Sequence, residues 1–183
     1  MNKKLFKISE DKYPVKLDIR YASKNNVFDT VMYKKPLCYL NIAVKEKFEA
    51  AIKFAAQKGL RLKIFDTLRP LKVQQYMYDN FPGDFVSNPA SGSIPHCRGV
   101  AIDLTLIDIN GEELDMGSDF DEFSERAFHS FTDLDEEVLE NRKDLLEIMT
   151  KAGWDFYDKE WWHYQEFNAR QFDIVDIEEL AAV

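Results

Sequence analysis

Three histidines occur in the sequence, His96, His129 and His163, and two of them lie close to acidic residues in apolar stretches. Asp103 belongs to the run 100–106, where apolar side chains alternate with small or polar ones, as in a strand with a buried face. Burying a carboxylate is costly unless a cation compensates it, and a metal ion is one adequate partner. His96, seven residues earlier, can supply a second ligand.

Two imidazoles and one carboxylate are typical of a catalytic zinc site, because they leave a fourth position open. We therefore predict that His96, Asp103 and His163 bind one zinc ion. Residues at an odd separation face opposite sides of a straight strand. His96 should therefore lie on a loop before the strand, with Gly99 allowing the backbone to turn. We exclude Cys97, since neighbouring side chains of an extended chain point apart.

A glutamate precedes the last histidine by three residues, in Glu160-Trp161-Trp162-His163-Tyr164. Hydrolysis by metal-activated water needs a base, and Glu160 is the candidate. Strand residues at this spacing face opposite ways, so Glu160 should lie on the turn before the strand. Taken alone, the motif better fits a solvated turn glutamate followed by two tryptophans of the core.

Arg69 follows a predicted strand and precedes Pro70, a residue suited to the first turn of a helix. Asp66, three residues earlier, can orient the guanidinium of Arg69 through a charge-assisted hydrogen bond. Such an arginine would stabilise the oxyanion of a tetrahedral intermediate, a role whose loss costs about 10²–10³ in rate. The alternative is an ordinary surface ion pair, worth at most about 1 kcal/mol.

Periodicity and turn signals predict the elements that position these residues. We predict strands at 16–21, 60–66, 100–106, 112–114, 154–157 and 161–167, and helices from Asn41 to Gly59, from Pro70 to about residue 79, and from Asp133 to Gly153. Asn41 and Asp133 are the expected N-caps, and Asn110-Gly111 is a hairpin signal. The long loop 80–98 has the composition of a functional loop. The predicted fold class is α+β, with a mainly antiparallel central sheet flanked by helices.

Composition points to a folded protein of 183 residues, 45% of them hydrophobic, and most simply to one domain, 1–183. We expect a core at about 16–167 and an acidic tail at 168–183 that includes a short helix. The net charge of −9 gives no electrostatic reason to expect a nucleic acid or an anionic membrane as partner. Two cysteines make no disulfide framework. Without a signal peptide or a membrane-spanning apolar run, we expect a soluble, cytoplasmic protein. The sequence does not indicate its oligomeric state.

Several motifs follow one another in order along the chain. They are Asp18-Ile-Arg-Tyr21-Ala22 with Asn26 and Phe28, Asp66-x-x-Arg69-Pro70, Ser93-x-x-His96-x-Arg-Gly-x-Ala-Ile-Asp103-Leu-Thr-Leu106, Met116-Gly-Ser-x-Phe-Asp121, and Glu160-Trp-Trp-His163-Tyr164. Together, from about residue 16 to 167, they resemble the zinc D-alanyl-D-alanine dipeptidases associated with vancomycin resistance.

The resemblance implies the fold shared by zinc DD-carboxypeptidases and the hedgehog signalling domain, and zinc-dependent hydrolysis of D-Ala-D-Ala to D-alanine. By motif position, it implies that zinc binds His96, Asp103 and His163, that Glu160 is the general base, and that Arg69 stabilises the transition state. It further implies that Asp121, helped by Tyr21, meets the free ammonium of the substrate. An enzyme restricted to dipeptides needs such an anion and a closed site that excludes longer chains.

One position departs from the family pattern. Ile94-Pro95 stands where the family usually carries Ser-Ser or a close variant, whose hydroxyl or backbone groups help to hold the substrate carboxylate. Proline has neither a side-chain donor nor a backbone N–H. We therefore expect another donor, such as Ser93, or an altered dipeptide preference.

Two alternatives stay open. A peptidoglycan endopeptidase or carboxypeptidase of the same fold would act on longer wall peptides, normally outside the cytoplasm, which the expected absence of a signal peptide disfavours. A zinc-binding module without catalysis would instead bind a partner protein. The presence of Glu160 and Arg69 beside a complete ligand set argues against that module.

Overall fold

A computed structural model describes residues 4–36, 38–81, 83, 85–175 and 177–183. Its strands are β1 (Leu5–Lys7), β2 (Lys16–Leu17), β3 (Tyr39–Asn41), β4 (Arg61–Asp66), β5 (Ala101–Ile107), β6 (Asp155–Phe156) and β7 (His163–Gln165), and its helices are α1 (Lys45–Gln57), α2 (Leu71–Asn80) and α3 (Glu136–Lys151). Residues 1–3 of the N-terminus, 82 and 84 of the predicted loop 80–98, and 176 of the predicted tail lie outside the described residues.

The central sheet has five strands in the order β2-β4-β5-β7-β6, and β1 pairs with β3 in a separate two-stranded sheet. Three of the four neighbouring pairs in the central sheet are antiparallel, whereas β2 and β4 run parallel. The predicted α+β class is confirmed, but the sheet is mixed. A parallel pair needs a long crossover connection, and the chain between β2 and β4 supplies one that includes α1.

Strand β5 lies at the centre of the sheet, and all seven of its residues are buried. Ile102, Leu104 and Leu106 share one core with buried side chains of α1 and α3, which lie against β4 and β5 respectively. Side chains alternate along a strand, so Asp103 and Thr105 face the opposite side of the sheet. The predicted alternation at 100–106 is therefore confirmed, and its polar face is buried as well.

Local signals explain where the helices begin and end. Asn41 accepts a hydrogen bond from the Ala43 amide and caps a short 3₁₀ turn that leads into α1, which ends before Gly59 with φ of +74°. Helix α2 starts at Leu71, one residue after the predicted start, and Pro70 occupies its N-cap position. The predicted N-cap Asp133 is wrong: α3 begins at Glu136, and Asp135 occupies the N-cap position. Asp133 and Asp135 both precede the apolar pattern of α3, so spacing alone does not indicate which of them is the N-cap.

The remaining strands are shorter than predicted. The 16–21 strand contracts to β2 and is followed by a 3₁₀ turn at Arg20–Ala22. The 112–114 strand is reduced to one bridge between Ile107 and Glu113, across the Asn110-Gly111 turn. Strands β6 and β7 form the predicted terminal hairpin. Within the described ranges, no helix combines the length and the apolar character needed to cross a bilayer.

Candidate active site

Two adjacent strands and the turn before one of them bring the predicted ligands together. Asp103 on β5 and His163 on β7 are directly paired in the antiparallel register. His96 lies on a 3₁₀ turn ahead of β5, and Gly99 ends this turn with φ of +67°. A Cβ atom at Gly99 would stand 3.2 Å from the Asn41 amide nitrogen, so glycine suits both the conformation and the space. The predicted positions of His96 and Gly99 are confirmed.

The side chains of His96, Asp103 and His163 converge within the protein, and all three are buried. His96 Nε2 lies 3.2 Å from His163 Nδ1 and 3.3 Å from Asp103 Oδ2, and Asp103 Oδ1 lies 2.9 Å from His163 Nδ1. Ligands bound to zinc at about 2.0–2.1 Å in a tetrahedron stand about 3.3 Å apart. The spacing of the three side chains fits one small metal ion.

The chemistry of the donor set also fits a cation. His96 Nδ1 lies 2.7 Å from the carbonyl oxygen of Thr67, which only accepts hydrogen bonds. The proton of a neutral His96 therefore belongs on Nδ1, and the lone pair of Nε2 faces Asp103 and His163. Burial raises the pKa of the Asp103 carboxyl, but His96 and His163 outweigh it and hold that pKa well below its usual range. Asp103 is thus an anion that needs positive charge beside it.

Glu160 lies on the turn that leads into β7, as predicted, and is only 8% exposed. Its Oε2 is 3.8 Å from His163 Nδ1, so it stands next to the ligand cluster. Burial raises the pKa of the Glu160 carboxyl to about 8, against the lowering effect of His163. The solvated turn glutamate that the motif alone favoured is therefore wrong.

Arg69 and Asp66 form a buried pair, which excludes the alternative of a surface ion pair. The guanidinium donates from Nε and Nη2 to Asp66 Oδ2, at 3.0 and 2.8 Å. Its Nη1 donates to Gln74 Oε1 at 3.0 Å, and the Tyr33 hydroxyl donates to Asp66 Oδ1 at 2.7 Å. Arg69 Nη2 also lies 3.7 Å from Asp103 Oδ2. The guanidinium is thereby fixed beside the ligand cluster.

Asp121 and Tyr21 meet on another side of the cluster. The Tyr21 hydroxyl donates to Asp121 Oδ2 at 2.7 Å, and both residues are buried. Asp121 has φ of +61°, a conformation that is uncommon outside glycine and occurs at functional sites. Burial raises the pKa of the Asp121 carboxyl to about 7, because its charge is poorly solvated. A cationic ligand would relieve this cost.

Eight of the nine predicted site residues line one cavity of about 290 Å³, namely Tyr21, Arg69, Ser93, His96, Asp103, Asp121, Glu160 and His163. The ninth, Asp66, is fully buried and bound to Arg69. An apolar part of the wall is formed by Phe28, Met77, Phe85, Val86 and Phe123. The cavity is thus lined by charged residues on one part of its surface and by apolar residues on another.

The segment before His96 also lines this cavity. Ile94 is buried with φ of +41°, an unusual conformation for a β-branched residue. Pro95 follows it, and the carbonyl oxygen of Ser93 accepts a hydrogen bond from Arg98 Nε at 2.8 Å. The backbone at Ile94 thus adopts a strained conformation in the wall of the cavity, next to Pro95.

Four residues of the site were missed from the sequence: Tyr33, Thr67, Gln74 and Gln165. Thr67 contributes a backbone carbonyl, so its side chain carries no signal. Gln165 stands two residues after His163 on β7, and the period of a strand was a signal that could have found it. Cys38 and His129 are not part of the ligand group.

Comparison with known proteins adds to this geometry. Residues 1–177 match the Peptidase_M15 family, described as D-ala-D-ala dipeptidase. The chain belongs to this family. A D-alanyl-D-alanine dipeptidase of Escherichia coli strain K12 is 32% identical over 162 residues, covering 88% of this chain and 83% of the relative. Enzymes of the same name from Enterococcus faecium and Enterococcus faecalis strain V583 are 44% and 42% identical over 70 and 71 residues, each covering 38% of this chain and 35% of the relative.

Membership in this dipeptidase family makes the chain a metallopeptidase, and the family is metal-dependent. The resemblance predicted from the motifs is confirmed. The buried cluster of His96, Asp103 and His163 is the possible metal site among the described residues.

Proposed function

We propose that this protein is a zinc-dependent dipeptidase that hydrolyses D-Ala-D-Ala to two molecules of D-alanine. The observation that carries the proposal is the convergence of a three-residue ligand cluster, a buried carboxylate and a fixed guanidinium in one cavity. The names of the relatives, from Escherichia coli and from Enterococcus, indicate the substrate. The expected zinc DD-carboxypeptidase and hedgehog-like fold is part of this proposal.

The proposed ligands of one zinc ion per chain are His96 Nε2, an Asp103 carboxylate oxygen and His163 Nδ1. Zinc in such a site supplies Lewis-acid chemistry, lowering the pKa of a water molecule and polarising a carbonyl group. Three protein ligands leave one position of such a metal ion open for a water molecule or the substrate.

Glu160 is the proposed general base. It would accept the proton of the attacking water and return it to the leaving amine. A catalytic base works best when its pKa is near the operating pH, and burial moves the pKa of Glu160 to about 8.

Arg69 is the proposed oxyanion stabiliser. Its hydrogen bonds to Asp66 and Gln74 fix the guanidinium before substrate binds, so no reorganisation is needed as charge develops on the carbonyl oxygen. Asp66 acts through Arg69 as a positioning residue and does not reach the cavity.

Substrate recognition is proposed at the two ends of the dipeptide. Asp121, held by the Tyr21 hydroxyl, would bind the free ammonium. Ser93, which lines the cavity, would donate to the carboxylate in place of the hydroxyl or backbone groups that Ile94-Pro95 does not supply. The exact dipeptide preference depends on which groups bind the substrate carboxylate beside Ile94-Pro95.

We propose that the enzyme acts on free dipeptide in the cytoplasm. The two cysteines, Cys38 and Cys97, are free and buried, which fits a reducing compartment. Hydrolysis there would either change the supply of cell-wall precursors or recover D-alanine as a nutrient. The net charge of −9 supports neither a nucleic acid nor an anionic membrane as partner.

The test is release of D-alanine from D-Ala-D-Ala, with and without a chelator, by the wild-type protein and by Glu160→Ala. We expect activity to be lost on chelation, to return with zinc, and to be at least about 10²-fold lower in the variant. Turnover that survives both treatments would contradict the mechanism.

N-acetyl-D-Ala-D-Ala and a longer wall peptide separate the dipeptidase from the endopeptidase or carboxypeptidase alternative. Since the amine is proposed to bind Asp121, blocking it should abolish turnover. Equal cleavage of the blocked and free dipeptides would show that the role given to Asp121 is wrong.

A further inference from the structure

We propose that Gln165 is a positioning residue that makes His163 a metal ligand. Its side-chain carbonyl would fix the imidazole in the tautomer whose Nδ1 lone pair faces His96 and Asp103. The inference rests on the proposed metal site, but not on the reaction catalysed there. His163 Nε2 lies 3.0 Å from Gln165 Oε1, on the side of the ring away from the cluster.

The tautomer of His163 depends on the groups beside its two ring nitrogens. A neutral imidazole carries one N–H and one lone pair, and both ring nitrogens of His163 have an oxygen close by. Asp103 Oδ1 stands 2.9 Å from Nδ1 and Gln165 Oε1 stands 3.0 Å from Nε2. A proton on Nδ1 would donate a hydrogen bond to Asp103 and leave the lone pair on Nε2, which points away from the cluster.

The amide oxygen of Gln165 disfavours the tautomer of His163 with the proton on Nδ1. An oxygen acceptor beside Nε2 favours the tautomer with Nε2–H, which donates to Gln165 and turns the lone pair of Nδ1 toward the cluster. Metal-bound histidines commonly donate their other N–H to a carboxylate or a carbonyl, which orients the ring and raises its basicity. His96 receives this support from the Thr67 backbone carbonyl, and His163 receives it from a side chain.

The position of Gln165 is set by the sheet. Residues 163 and 165 are two apart on β7, so both side chains project from the same face. Gln165 is paired with Ala101 on β5 and with Asp155 on β6, so its backbone is held on both sides. The next residue, Glu166, accepts from Lys47 Nζ at 2.7 Å and ties the end of the strand to α1. With the backbone held in this way, the Gln165 side chain can hold the imidazole in one orientation.

Zinc affinity of the metal-free protein, measured by competition with a chromophoric chelator, tests the proposal. Gln165→Met keeps the length of the side chain but removes the acceptor, and we expect zinc binding to weaken roughly 10–100-fold. Gln165→Glu keeps an oxygen acceptor and should bind zinc at least as tightly as wild type. Gln171→Met, at an exposed glutamine outside the cavity, is the matched control and should bind as wild type does.

The outcomes show whether Gln165 acts by orienting His163 or only by packing in the structure. If Gln165→Met binds zinc as wild type does, or if Gln165→Glu loses as much affinity as Gln165→Met, the proposal is wrong. Melting temperatures of the metal-free variants that match wild type would place the loss in the site and support the proposal.

A second measurement needs no variant. In nuclear magnetic resonance spectra of the zinc-loaded wild-type protein, the His163 Nε2 proton should be visible and slow to exchange. Rapid exchange of this proton would overturn the proposal. Neither measurement depends on peptide hydrolysis, so a chain that binds zinc as described but leaves D-Ala-D-Ala intact would contradict only the proposed function.

Discussion

At the level of single residues, Arg69 is held in one orientation by several hydrogen bonds. Its guanidinium donates two hydrogen bonds to Asp66 and one to Gln74, and Asp66 is itself held by the Tyr33 hydroxyl. Asp66 is fully buried, so its charge is weakly screened by solvent. The orientation of the guanidinium therefore depends on a network and not on one contact.

Replacing Arg69 by lysine tests this orientation. A lysine ammonium keeps the charge but cannot donate in parallel to Asp66 and also reach Gln74. We expect kcat/KM for D-Ala-D-Ala to fall about 10²–10³-fold, mainly through kcat, because the interaction forms with the developing oxyanion. Steady-state kinetics measure the loss. Arg61→Lys, at the opposite end of β4, is the control, and a comparable loss there would point to a general effect on the strand.

The sequence was most informative for residues whose chemistry is costly to bury. Asp103 and the two histidines beside acidic residues were found from side-chain type and spacing, and the structure brings them together. Their supporting partners were not found. The Thr67 carbonyl belongs to the backbone, and Tyr33 reaches Asp66 across 33 residues, so only the tertiary fold shows either contact.

At the level of elements, local patterns predicted what local interactions decide. Helix α1, helix α2, strand β4, strand β5 and the terminal hairpin all occur where periodicity, a cap or a turn signal placed them. The direction of β2 has no such signal, because it depends on the strand beside which β2 lies. The predicted start of α3 is too early by two residues, because spacing alone does not distinguish Asp133 from Asp135, the residue at the N-cap position.

The acidic tail has a structural role that its sequence did not indicate. Glu178 Oε1 accepts from the Leu71 amide at 2.7 Å, and Oε2 accepts from the Lys72 amide at 3.1 Å. These amides are the first two of α2, and Pro70 before them has no side chain that can cap a helix. A carboxylate there also interacts favourably with the helix dipole. The tail thus caps the helix that carries Gln74, through amides that lie 107 and 106 residues earlier in the chain than Glu178.

Removing this cap should destabilise the protein. For Glu178→Ala we expect the free energy of unfolding to fall by about 0.5–2 kcal/mol, the usual cost of losing an N-cap side chain. Urea unfolding followed by circular dichroism measures the change. Glu179→Ala is the control, since Glu179 is exposed and its contact with Lys34 uses the backbone carbonyl. Equal stability of both variants and wild type would show that the contact contributes nothing.

At the level of the whole molecule, the sheet separates a hydrophobic core from a site rich in acceptors. Helices α1 and α3 pack on β4 and β5, while Asp103 faces the other way with the histidines and Glu160. Burial there raises the pKa of Glu160 and of Asp121, because both carboxylates lack solvation. The fold therefore holds negative charge and lone pairs around one point, an arrangement that a cation stabilises.

The single-domain organisation stays a prediction.

Zinc should therefore stabilise the folded chain against heat. A ligand that binds only the folded state and is present at 100 times its dissociation constant raises the free energy of unfolding by about 2.7 kcal/mol. For a chain of this size we expect the melting temperature to rise by about 5–11 °C over the chelator-treated protein, as measured by calorimetry. Asp103→Asn removes a charged ligand and should lose most of this rise, whereas Asp173→Asn, at an exposed aspartate, should keep it. A rise that persists in Asp103→Asn would mean that zinc binds elsewhere, because one ligand of three cannot be lost without weakening the site.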